Sequence, residues 1–97
     1  MKILAIEKEN CSLSLETFKP LLAEEARAVW ELYKKNILRE IYFRDDQNTA
    51  VLMLECGDVR EAETVLSQLP LVKEGLIHFE LLPLKPYPGF ERLFISD

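Results

Sequence analysis

Residues 37–55 read ILREIYFRDDQNTAVLMLE, and this stretch decides the fold. Two runs rich in Ile, Tyr, Phe and Val flank the polar turn Asp45-Asp46-Gln47-Asn48, which predicts a β-hairpin of strands 37–44 and 49–55. Pairing Arg44 with Thr49 sets the register. Phe43 then faces Ala50, Ile41 faces Leu52 and Arg39 faces Leu54 on one side of the sheet, because side chains alternate. Tyr42 with Val51, Glu40 with Met53, and Leu38 with Glu55 occupy the other. The first set is mostly apolar and suits packing against helices. The second mixes apolar and polar groups.

Working outward, the segment ahead of the hairpin carries Phe18, Leu22, Ala26, Val29, Trp30 and Tyr33 at helical spacing. Pro20 fits only a first turn, so this helix is expected to start near Thr17 as its N-cap, after a loop over 11–16. Lys34, Lys35 and Asn36 suit its end. Residues 2–7 read as a first strand. Beyond the hairpin, Asp58-Val59-Arg60-Glu61 resembles a capping box, opening a helix whose buried stripe is Val59, Ala62, Leu66 and Leu69 and which Pro70 stops. Residues 76–82 alternate as a fourth strand, with Ile77, Phe79 and Leu81 on one face and Leu76, His78, Glu80 and Leu82 on the other. The order strand, helix, strand, strand, helix, strand predicts an α+β, ferredoxin-like βαββαβ fold with a four-stranded antiparallel sheet.

Two helices cover one face of such a sheet. The other carries Leu38, Tyr42, Val51, Met53, Leu76 and Leu82, too apolar to face water, so a homodimer with sheets face to face is expected. The tail, residues 83–97, holds Pro83, Pro86, Pro88, Phe90, Leu93 and Phe94, and is expected to dock on this chain or on a partner.

Composition bounds the rest. At 97 residues the chain is read as one domain, 1–97, with 48% hydrophobic and 30% charged residues. The net charge of −5 and the scattered Lys and Arg argue against a nucleic-acid partner. No apolar run approaches the roughly 20 residues of a membrane span, and MKILAIEKEN does not read as a secretory signal, so a cytoplasmic location is expected. Cys11 and Cys56 make no disulfide framework. Each follows a strand, and the first and third strands are expected to be parallel neighbours, which puts both cysteines at the same end of the sheet; the simplest reading is still two unrelated free thiols. With His78 the sole histidine, no metal-ligand spacing exists. No phosphate loop, nucleophile elbow or flavin fingerprint is present, and no cofactor is expected. Trp30 and Tyr33 read as core packing.

Several segments together carry a family likeness: Val29-Trp30-Glu31-Leu32-Tyr33, Leu38-Arg39-Glu40-Ile41-Tyr42-Phe43-Arg44, Val51-Leu52-Met53-Leu54-Glu55, Leu69-Pro70-Leu71-Val72, Gly75-Leu76-Ile77 and Leu82-Pro83-Leu84-Lys85-Pro86-Tyr87. On these the chain resembles the muconolactone isomerase-like group of the dimeric α+β barrel superfamily, from about residue 18 to 94. The resemblance implies a barrel shared by two subunits, tails that swap contacts, and in some members larger homo-oligomers. It implies a small organic ligand and an isomerase, with non-catalytic binding or assembly proteins and cofactor-free monooxygenases as alternatives. Residues 1–16 fit the isomerases poorly.

An isomerase of this kind shifts a proton between carbons beside a lactone carbonyl, which needs a base, an acid, and hydrogen bonding or positive charge near the enolate. On the open face the expected catalytic residues are Glu40 as base, His78 as proton shuttle and Tyr42 as stabiliser. Arg44, Met53, Glu55 and Glu80 are the expected substrate contacts. The competing reading pairs Glu40 with an arginine across the dimer and makes His78 a packing residue.

Overall fold

A computed structural model describes residues 1–10 and 15–95. Strands β1 (Lys2–Glu9), β2 (Leu38–Phe43), β3 (Ala50–Glu55) and β4 (Ile77–Leu84) form one sheet in the order β2-β3-β1-β4, with every pair antiparallel. The helices are α1 (Leu15–Phe18), α2 (Leu22–Lys34), α3 (Val59–Leu66) and α4 (Pro70–Lys73). Element order and sheet type agree with the expectation.

The hairpin register holds for Phe43–Ala50, Tyr42–Val51, Ile41–Leu52 and Glu40–Met53, and the Arg44 N–H donates to the Thr49 carbonyl at 2.9 Å. Then a bulge intervenes and Leu38, not Arg39, stands opposite Leu54. A one-residue slip inverts the faces. Leu38, expected on the open face, is therefore in the core, 1% exposed.

The first helix starts earlier than expected, in three pieces. Short α1 leads into a 3-10 turn, Lys19–Leu21, holding Pro20, and then into α2. Thr17 lies inside α1 rather than at a cap. Proline lacks the N–H that a continuous α-helix needs, so the chain tightens around it. At the other end Asn36 takes the left-handed conformation, φ 64°.

Helix α3 begins as read. The Asp58 carboxylate accepts from the Glu61 N–H, and Glu61 accepts in turn from the Gly57 N–H, each at 2.8 Å. Pro70 does more than stop a helix: it opens α4 at a position where a missing N–H costs nothing.

The strand direction corrects the cysteine reading. β1 runs antiparallel to β3, and the Cys56 N–H donates to the Met1 carbonyl. Cys56 thus sits at the start of β1, about 25 Å of strand from Glu9 at its end. Cys11, the other half of that reading, lies outside the described residues.

Ile3, Ala5, Leu52, Leu54 and Ile77 of the sheet form the core with Leu38, Ala62, Leu66 and Leu69. The tail stands apart from it. The radius of gyration is 16.3 Å, against about 13 Å for a compact domain of this size. Tyr87, Phe90, Leu93 and Phe94 are all mostly exposed. Among the described residues no helix is long and apolar enough to cross a membrane.

Candidate active site

The open sheet face is built of cross-strand rows. Glu40, Met53, Leu4 and Leu82 make one, and Tyr42, Val51, Ile6 and Glu80 the next. The Tyr42 hydroxyl donates to Glu40 at 3.0 Å, which raises the Tyr42 pKa, since losing the proton would put two negative charges together. Met53 lies between them and Leu4, half-buried. The remaining expected residues are dispersed. Glu80 pairs with Lys8 at 3.7 Å, and His78 Nδ1 meets the Asn10 side-chain oxygen. Arg44 is clasped by both Asp46 oxygens at 2.6 and 2.9 Å, beyond the end of β2. Glu55 meets the Met1 amino group at 2.7 Å, at the other end of the sheet, and is held below its ordinary value by that hydrogen bond. β2 and β4 are opposite edges, about 14 Å apart across two strands. Within one chain, Glu40 and Tyr42 therefore cannot share a small substrate with His78 and Glu80.

The helix-covered face holds a different arrangement. Between α2 and the sheet lies an almost wholly apolar cleft of about 590 Å³, within the usual range for a small-molecule site. Trp30 and Tyr33 of α2 form its upper wall, with Ile41, Phe43, Leu52 and Phe79 of the sheet opposite. The two α2 rings stack on each other at 5.4 Å, inclined by 15°. They are 56% and 51% exposed, so the expectation that they pack in the core is overturned. α2 buries none of its residues fully.

Two carboxylates are set in this apolar lining, Glu7 and Glu25. Glu7 follows Ile3 and Ala5 on the inward side of β1, and one of its oxygens accepts from the Ala50 N–H at 3.0 Å, just past the last β1–β3 pair. Glu25 lies on α2 and accepts from the Leu71 N–H at 3.0 Å, satisfying a free donor in the first turn of α4. Burial raises both pKa values, because an apolar lining disfavours the ionised form. The backbone hydrogen bonds oppose this without cancelling it. Glu7 is raised further by the charge of Glu25. The cleft thus holds two half-buried acids, each pushed toward its protonated form by the apolar lining.

Comparison with known proteins bears on the fold. No family model matches the sequence, and no match was found among curated proteins. Among solved structures, the crystal structure of muconolactone isomerase superposes with a TM-score of 0.75 over 92% of this chain and 93% of that one, at 16% identity. The chain has the muconolactone isomerase-like fold. The same fold relates it to 5-chloro-2-hydroxyhydroquinone dehydrochlorinase from Burkholderia phenoliruptrix AC1100, solved with 2,5-dihydroxybenzoquinone. There the TM-score is 0.69 over 92% of this chain and 98% of that one, at 18% identity.

Within this muconolactone isomerase-like fold, neither cleft acid was selected by reading residue types on the open face. A signal for both was nevertheless in the pattern. Glu7 continues the alternation Ile3, Ala5, and Glu25 falls in the helical stripe Leu22, Ala26, Val29. An acid that interrupts an apolar stripe is a stronger pointer to chemistry than an acid among other polar groups.

Proposed function

We propose that the cleft is the active site of a cofactor-free proton-transfer enzyme acting on a small lactone or related carbonyl compound. One observation carries this reading: two carboxylates with raised pKa values lining one apolar cavity. Separation of two carboxyl environments is a common way to obtain an acid and a base near neutral pH. In this reading Glu7, beside the backbone N–H of Ala50, acts as the acid. Glu25 acts as the base. Glu25 takes a proton from the carbon beside the carbonyl, the electron pair moves into the carbonyl, and the Glu7 carboxyl donates a hydrogen bond to the developing enolate oxygen. Glu25 then returns the proton at the far end of the conjugated system, and the double bond has moved. No redox step is needed.

The test is isomerisation of a butenolide in D₂O, followed by proton NMR. The wild type should shift the double bond with deuterium incorporated at carbon. Glu25→Gln, which keeps the acceptor for Leu71, should cut the rate by about 10²–10⁴. Undiminished turnover in the variant would remove Glu25 from the chemistry.

For assembly we propose a homodimer joined through the open sheet face, with Glu40, Tyr42, Met53, Glu55, His78 and Glu80 contributing to contacts between copies rather than to the chemistry. The half-buried apolar strip Leu4, Ile6, Val51 and Met53 supports this. The exposed aromatic tail is proposed to dock on the second copy. Truncation after Leu84 should weaken association in sedimentation; an unchanged dimer would count against tail docking.

A further inference from the structure

We infer that the cleft selects an uncharged ring and rejects ligands that place a carboxylate inside it. This inference rests on the proton-transfer reading and narrows its substrate class. Among the described residues lining the cleft, only Glu7 and Glu25 bear charge, and both are acids. No lysine, arginine or histidine faces a ligand there. Two cations, Lys8 and Arg44, border a smaller polar recess that shares Glu7 with the cleft. Both are already engaged: Lys8 with Glu80, Arg44 with both oxygens of Asp46. A carboxylate entering the cleft would lose its water, meet like charge, and find no counter-ion in a setting where screening is weak.

An uncharged carbonyl ring suits either state of the two acids. A protonated carboxyl donates to the carbonyl oxygen, and an ionised one accepts the proton from carbon. Trp30 and Tyr33 line the helix side of the cleft with their rings stacked on each other, and Phe43 and Phe79 line the sheet side. The apolar and aromatic lining favours a ring, and the charge favours a neutral one.

Two butenolides that differ by one group provide the test: one ring carrying a methyl substituent, the other a carboxymethyl. Trp30 is the sole tryptophan, so its fluorescence reports occupancy of the cleft directly. At neutral pH the methyl compound should quench Trp30 and bind at least about tenfold more tightly than the carboxymethyl compound. In Glu7→Gln/Glu25→Gln the difference should shrink to about twofold, and Glu25→Gln alone provides the same comparison with one charge removed. Equal or tighter binding of the carboxymethyl ring by the wild type overturns the inference. So does a difference that removal of both acids leaves undiminished. Deuterium exchange separates this inference from the catalytic reading. Selective binding of the methyl compound without exchange defeats proton transfer and leaves charge selection standing. Exchange on both rings with equal affinity does the reverse.

Discussion

The two helices that cover the sheet meet it in opposite ways. α3 lies directly on it, with Ala62, Leu66 and, just beyond, Leu69 at 0%, 3% and 1% exposure. α2 presents an equally regular apolar stripe yet buries no residue fully. The difference lies in side-chain size and charge. Ala62 allows close approach, and the leucines beside it fill the gap. On α2, Trp30 and Tyr33 are bulkier, and Glu25 sets an acid in the stripe whose carboxylate is held by the Leu71 N–H. One helix makes stability; the other makes a cleft.

The largest break in this contrast is expected from the acids, where Glu25→Gln should cost two to four orders of magnitude in turnover with the fold intact. Next comes the packed side. Leu66→Ala should destabilise the chain by about 2–5 kcal/mol in denaturant unfolding, because the lost contacts leave a cavity that the sheet cannot close. A cost below about 1 kcal/mol would mean that α3 is not packed as described. On the open face, Met53→Asp should convert the proposed dimer to monomer or prevent folding, and a dimer unchanged in sedimentation would refute that interface. Smaller still, Trp30→Ala should cost under about 1 kcal/mol of stability while weakening ring binding up to about tenfold. A stability loss as large as that of Leu66→Ala would place Trp30 in the core after all.

The smallest effect is a dependence on pH. A carboxyl whose pKa is higher in the fold than in the unfolded chain holds its proton more tightly when folded. Glu7 and Glu25 therefore stabilise the fold below the unfolded value near 4.5, and that contribution is lost as pH rises through their raised folded values. Replacing Glu25 by Gln removes the penalty of ionisation. The variant should melt at the same temperature as the wild type near pH 4 and slightly above it at pH 7. Equal melting curves at both would show that burial does not strain the ionised form.

Much of the architecture was legible in local pattern. The Asp45–Asn48 turn fixed the hairpin through its outer four pairs, Asp58 and Glu61 announced α3, and Asn36 marked the end of α2. The errors have local causes too. A single bulge turned Leu38 inward, which alternation counted from the turn cannot foresee. The candidate site was less legible. Periodicity marks which residues share a face, and it put Trp30 and Tyr33 on the inward face correctly. It does not say how far the opposite surface lies.

The sequence by itself therefore determined the element order, the antiparallel hairpin and the inward and outward faces, because turns, caps and alternation act over a few residues. Only the tertiary structure decided that one inward face closes while the other stays open around Glu7 and Glu25. That outcome depends on how the side chains of α2, drawn from one end of the chain, fit against Phe43, Leu52 and Phe79 from three different strands. Fit among residues so distant in sequence is settled by volume and desolvation across the whole assembly, which no local pattern encodes.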